Sequence, residues 1–262
     1  MPAEVIKLVH AMISLMHQGL HLLRRMFDRC SGREELRPPS CELDADAASA
    51  MIEDLLRSGR PAMVGRFGCT EMSCLHNYLE IGKAGRNPLD YITGRRDQWW
   101  WNKNIMRQMR EWSGFFPAAP EYLARFCELM LRDMMELDIL GSWLPYEREV
   151  MPMIRDVPRV RLLNLEPYWS SRPWSRALEG RKVLVVHPFA ESITLQYERN
   201  RERIFENPEV LPSFSLETLA AVQSLGAGPD RFADWFEALA WMEGEMDRRD
   251  YDVCLIGCGA YG

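Results

Sequence analysis

The chain has 262 residues, 47% of them hydrophobic, and a formal net charge of −6. A chain this long buries about three quarters of its unfolded surface, enough for one large α/β domain without disulfides, and its acidic balance excludes nucleic acid bound over a broad basic surface. Seven cysteines, an odd number with no Cys-x-x-Cys pair, point to reduced thiols and a cytoplasmic location.

From Val5 to Phe27 apolar residues recur at helical spacing, interrupted by Lys7, His10, His17, Gln18 and His21. No run approaches the ~20 residues that cross a bilayer, so the spacing predicts an amphipathic helix over residues 1–29. It can pack on the domain or a partner, or lie in a membrane interface, which would suit lipid-linked glycans. Residues 30–42, with Arg37-Pro38-Pro39-Ser40, read as a linker, and 43–262 as the domain. Asp44 can cap a helix carrying Met51, Ile52, Leu55 and Leu56, with Gly59 as its stop.

Short apolar runs without alternation predict strands at Ala62–Arg66, Leu137–Leu140, Val160–Leu165, Val183–Val186 and Val253–Ile256. Helical patterns at Gln98–Arg110, Glu121–Met135, Ile193–Phe205 and Arg231–Met246 separate several of them. This alternation predicts an α/β, doubly wound, mostly parallel sheet with ligands beyond the carboxyl ends of its strands. The stretch 211–226 reads equally as strand or helix.

Strand ends therefore carry the candidate chemistry. Val64-Gly65-Arg66-Phe67-Gly68 runs a strand into a glycine turn, and Thr70 can cap the helix after it. The amides after Gly68 and the Arg66 guanidinium favour a phosphate, while Glu71 suits a divalent cation or a sugar hydroxyl. An ordinary turn with Arg66 paired to a surface carboxylate fits the pattern equally. His187, at another strand end with Glu191 and Ser192 opening the next helix, can contact a phosphate, act as a base, or bond to backbone. Gly257-Cys258-Gly259-Ala260-Tyr261-Gly262 fits the dinucleotide pattern G-x-G-x-x-G but lacks the helix and acidic residue that usually follow it. Glu166 is a further strand-end carboxylate, better read as a cap or ion-pair partner. Trp99-Trp100-Trp101 cannot share one helix face, and His76 and the methionines read as packing residues.

Arg66-Phe67-Gly68-Cys69-Thr70-Glu71 resembles the Arg-aromatic-Gly-Asp-Gly-Glu segment of bacterial glycosyltransferases of the GT-D type. Lys182 to Ile193, with Gln196, Tyr197 and Arg199, and the closing Asp252 to Gly262, resemble later segments of an uncharacterised branch of that group. The resemblance implies a Rossmann-like fold that transfers a sugar from a nucleoside-diphosphate sugar to a glycan or lipid-linked glycan. It implies Glu71 and His187 as catalytic residues, and Arg66, Gly68, Thr70, Glu191, Gly257, Gly259 and Tyr261 as substrate-binding residues. In the family an Asp-x-Glu pair contacts a Mn or Mg ion and the diphosphate. Cys69 stands where that Asp would, so Glu71 alone carries over as a metal contact. The family's last segment continues into another helix and strand, which implies truncation after Gly262. Two alternatives stand beside this reading: a non-catalytic nucleotide-sugar or glycan-binding module, and an NAD(P)-dependent oxidoreductase resting on the terminal glycines.

Overall fold

A computed structural model describes residues 3–31, 36–224 and 231–262, so positions 32–35 of the expected linker and 225–226 of the undecided stretch lie outside the described residues. The chain divides into two units, residues 1–36 with 75–102 and residues 37–74 with 103–262. The dividing line falls inside one helix, α3.

In the first unit, α1 (Ala3–Ser31) packs on the short α4 (Pro88–Ile92), whose Asn87 cap accepts a hydrogen bond from the Leu89 amide. One face of α1 makes the contacts. His17 stacks on Trp100 with ring centroids 3.8 Å apart, the Tyr91 hydroxyl and His21 Nδ1 share a hydrogen bond at 2.6 Å, and Arg24 pairs with Asp97 at 2.5 Å. Among the described residues no helix is long and apolar enough to cross a membrane.

The helix expected over Gln98–Arg110 begins only at Lys103. Its first residues instead form bends because the buried Asn77 side chain donates to the carbonyls of Gln98 and Trp100, both at 3.0 Å, and accepts from the Asn102 amide at 2.9 Å. One amide side chain thus satisfies backbone groups that a helix would otherwise pair. The three tryptophans are half-buried in this loop, and Trp99 and Trp100 cluster with Tyr91.

The second unit is mixed α/β. α2 (Ala45–Arg57) starts where predicted, with the Asp44 carboxylate accepting from the Ala47 amide at 2.7 Å. β1 (Val64–Arg66), α3 (Cys69–Gly82), α5 (Lys103–Glu111), α6 (Pro120–Asp133), β2 (Ile139–Ser142), α7 (Glu147–Val150) and β3 (Arg159–Arg161) follow. β4 (Lys182–His187), α8 (Ala190–Ile204), β5 (Ser215–Ala220), α9 (Trp235–Asp247) and β6 (Val253–Ile256) complete it. The undecided stretch thus contributes the strand β5. β3 is shorter than expected, because residues 162–165 turn into a 3-10 segment.

The described strands form two three-stranded parallel sheets rather than one continuous sheet, in the orders β1-β2-β3 and β5-β4-β6. α2 lays Ala48 and Ile52 on Ile139 and Val160 of the first sheet. The second sheet is covered on both faces. Met242 of α9 packs on Leu184, Val186 and Leu219, while on the opposite face Thr218 meets Thr194 of α8 at 3.0 Å. This two-sided cover explains why β4 reads as an unbroken apolar run. Arg176 grips the buried Glu53 of α2 with Nη2 at 2.6 Å. Burial would raise that carboxyl's pKa, but the bonds from Arg176 and Arg57 hold it below the usual carboxylate range.

Candidate functional site

All strands in each sheet run parallel, so the chain leaves both sheets at one rim each, and most of the predicted residues sit there. Arg66 ends β1 with its side chain exposed. The next carbonyl, Phe67, accepts from the Trp143 indole Nε1 at 2.9 Å, so the residue that leaves β2 pins the turn that leaves β1. α3 begins at Cys69, which places Thr70 in the first turn and corrects its expected capping role. Gly68 precedes the helix, and its carbonyl accepts from Met72 at 2.9 Å.

Glu71 folds back over this turn. A Cβ added at Gly68 would displace the Glu71 carboxylate, so the glycine permits that close approach. A carboxylate laid against the first turn of a helix is favoured by the helix dipole, and here it sits beside the amides expected to hold a phosphate. Cys69 beside it presents an exposed thiol. One carboxylate and one neutral thiol do not make the oxygen cage a hard divalent cation needs. Among the described residues no three His, Cys, Asp or Glu side chains converge to hold a metal.

The same rim holds a buried carboxylate that sequence reasoning missed. Glu147, fully buried at the start of α7, accepts from the Ser142 hydroxyl and from the amides of Trp143 and Leu144, both at 2.9 Å. Its three donors all lie within five residues upstream. The signal available was a glutamate just beyond the strand end, but nothing local marked it as buried. Glu147 fixes the Trp143 backbone, and through the Trp143 indole the Phe67 turn.

At the rim of the second sheet, β4 comes first in the chain, β5 lies on one side of it and β6 on the other. Strand order therefore reverses between β4 and β6. His187 and Gly257 lie at the ends of these two strands. A Cβ at Gly257 would sit 3.0 Å from His187 Cδ2, so the imidazole lies directly on the glycine backbone. His187 Nδ1 accepts from the Phe189 amide at 3.1 Å, which leaves the proton of the neutral ring on Nε2 and makes that atom a donor. α8 starts here without a side-chain cap, Glu191 is exposed in its first turn, and the exposed Phe189 ring lies 5.4 Å from the imidazole.

The remaining predicted residues are engaged by their own chain. Gly259 takes φ +65°, and the following Ala260 amide donates to the Ser113 carbonyl at 3.2 Å. Tyr261 stacks on Trp235 and shares a hydrogen bond with Ser224 at 3.1 Å, and burial pushes its hydroxyl up to about 12. Glu166 accepts from the Tyr168 hydroxyl and from Trp169 Nε1, which lowers its pKa. Among the described residues no hydrogen bond or ion pair joins the Arg66–Glu71 group to the His187–Gly257 group. An open hollow lined by Cys41, Leu43, Asp156 and Arg159 lies at the other end of β3, away from this rim.

Comparison with known protein families, with curated proteins and with solved structures gave no match for this chain.

Proposed function

We propose that the chain is a cytoplasmic, glycosyltransferase-like enzyme whose second unit carries a Rossmann-like, doubly wound core that binds a nucleoside-diphosphate sugar. The supporting observation is the reversal of strand order at β4, with His187, Gly257 and the uncapped start of α8 beside it. Open α/β sheets bind ligands at such points because helix amides and close backbone converge there. In this reading His187 Nε2 donates to a phosphate oxygen or sugar hydroxyl. Arg66 neutralises charge that develops on the leaving diphosphate, and Glu71 swings off Gly68 to accept a sugar hydroxyl.

The exposed Cys69 in place of a carboxylate favours a second reading, a module that binds the donor without transferring it. Calorimetry with a panel of UDP- and GDP-sugars, with and without manganese, tests both. Arg66→Ala and His187→Ala are each expected to weaken donor binding by about ten- to a hundredfold, the worth of a hydrogen bond to a charged group. Wild-type affinity in both variants overturns the site. Donor binding without hydrolysis or transfer selects the binding module.

A further inference from the structure

Helix α1 has a polar face that its own chain covers and an apolar face on the opposite side. At about 100° per residue, His17, Leu20, His21 and Arg24 fall together on the side that meets Trp100, Tyr91 and Asp97. The opposite side carries Val5, Leu8, Met12, Leu15, Leu22 and Met26, with Gly19 completing the series. Steps of three and four alternate without a break, which is the heptad seam of a helix that packs on another helix. The seam is bare: Leu8 is 63% exposed, Met12 64%, Leu15 70% and Leu22 59%.

Gly19 carries independent information. A glycine inside a helix costs roughly 0.5–1 kcal/mol relative to alanine, yet among the described residues nothing lies within 4 Å of a Cβ placed there. The fold of the single chain gives no reason for it, whereas the close approach of a second helix does. Charge supplies the third argument. If two copies of α1 pair antiparallel with position 5 facing 22, 8 facing 19 and 12 facing 15, Leu8 of each copy enters the notch at Gly19 of the other. The same register sets the exposed Glu4 of one copy beside the exposed Arg25 of the second. A parallel pairing makes no such match.

We propose that this seam is a self-association surface through which two copies of the chain form an antiparallel dimer. The paired stretch from residue 5 to 22 is about 27 Å long, which places the contact near the lower limit of specific interfaces, about 1,200 Å². The dimer is accordingly reversible. A membrane surface fits less well, because the described helix has no Trp or Tyr and exposes Glu4 among its few basic residues.

Sedimentation equilibrium of the full chain tests this. The wild type is expected to show a concentration-dependent monomer–dimer equilibrium. Leu15→Glu abolishes it with an unchanged far-ultraviolet spectrum. Glu4→Lys and Arg25→Glu each raise the dissociation constant about fivefold, the scale of the two weak exposed ion pairs that the symmetric dimer loses, and the double exchange E4K/R25E restores it. Gly19→Met strengthens the helix but weakens the dimer. A wild type that stays monomeric, a Leu15→Glu variant that sediments as wild type, or a double exchange that fails to restore pairing overturns the proposal. So does a monomer that binds vesicles of anionic phospholipid through Leu15.

Discussion

Asp97 shows how one side chain can hold several others. His76 donates to it at 2.9 Å and Arg24 pairs with it at 2.5 Å. Burial alone would raise its pKa, but the His76 hydrogen bond and the Arg24 charge outweigh burial and bring it from 3.8 to about 2. A carboxyl depressed on folding contributes stability that is complete above its unfolded pKa and is lost as protons bind the native state. Wild-type stability in urea is therefore expected to fall between about pH 4 and pH 2, and Asp97→Asn is expected to remove part of that fall. An equal pH dependence in both proteins would show that the pairing contributes nothing. Neither partner was legible in the sequence, because His76 and Asp97 lie 21 positions apart and only the fold of the intervening loop joins them. Arg66, Gly68 and His187 were legible as strand-end residues, since an apolar run followed by Gly or Pro signals its own end. Glu147 was not, because its burial is a property of the whole rim.

Packing between elements rests on a few glycines. On β2, Gly141 faces Leu165, and a Cβ there would run into the leucine side chain. Gly141→Ala forces Leu165 out of its contact with the sheet, and a loss of about 1–3 kcal/mol is expected from overpacking. Gly244 in α9 has nothing among the described residues within 4 Å of an added Cβ, so Gly244→Ala is expected to stabilise by roughly 0.5–1 kcal/mol through helix propensity. Urea midpoints of the two variants measure both, and a neutral Gly141→Ala would refute the close contact. β1, β4 and β6 could be read from composition because burial writes itself as an apolar run. β5 could not: Ser215, Glu217 and Ala220 are exposed on this edge strand, and the mixed pattern suits a helix as well. The Gln98 segment misled for a different reason, since a side chain 21 positions away takes over its carbonyls.

Seven free thiols report on the molecule as a whole. Cys30 and Cys69 are exposed, Cys41 and Cys254 half-buried, and Cys74, Cys127 and Cys258 buried. Burial pushes Cys254 and Cys258 up to about 11, and the Cys74 contact at 3.8 Å raises Cys127 as well. Because the thiolate is the reactive form, a disulfide dye is expected to label Cys30 and Cys69 fast in the native protein and the three buried thiols only on unfolding. Fast labelling of Cys258 would contradict its place under α9. Alternation of strands and helices announced the α/β class, but not the division into two sheets, since strand partners are chosen over long separations that local pattern does not encode. The Met63 amide, for instance, bonds to Asp138, 75 positions later. At roughly 5–20 residues per second of synthesis, the first strand waits about 4–15 s on the ribosome before its neighbour is made. Its brevity, and the glycine and arginine in it, are what keep that lone edge from recruiting another chain in the interval.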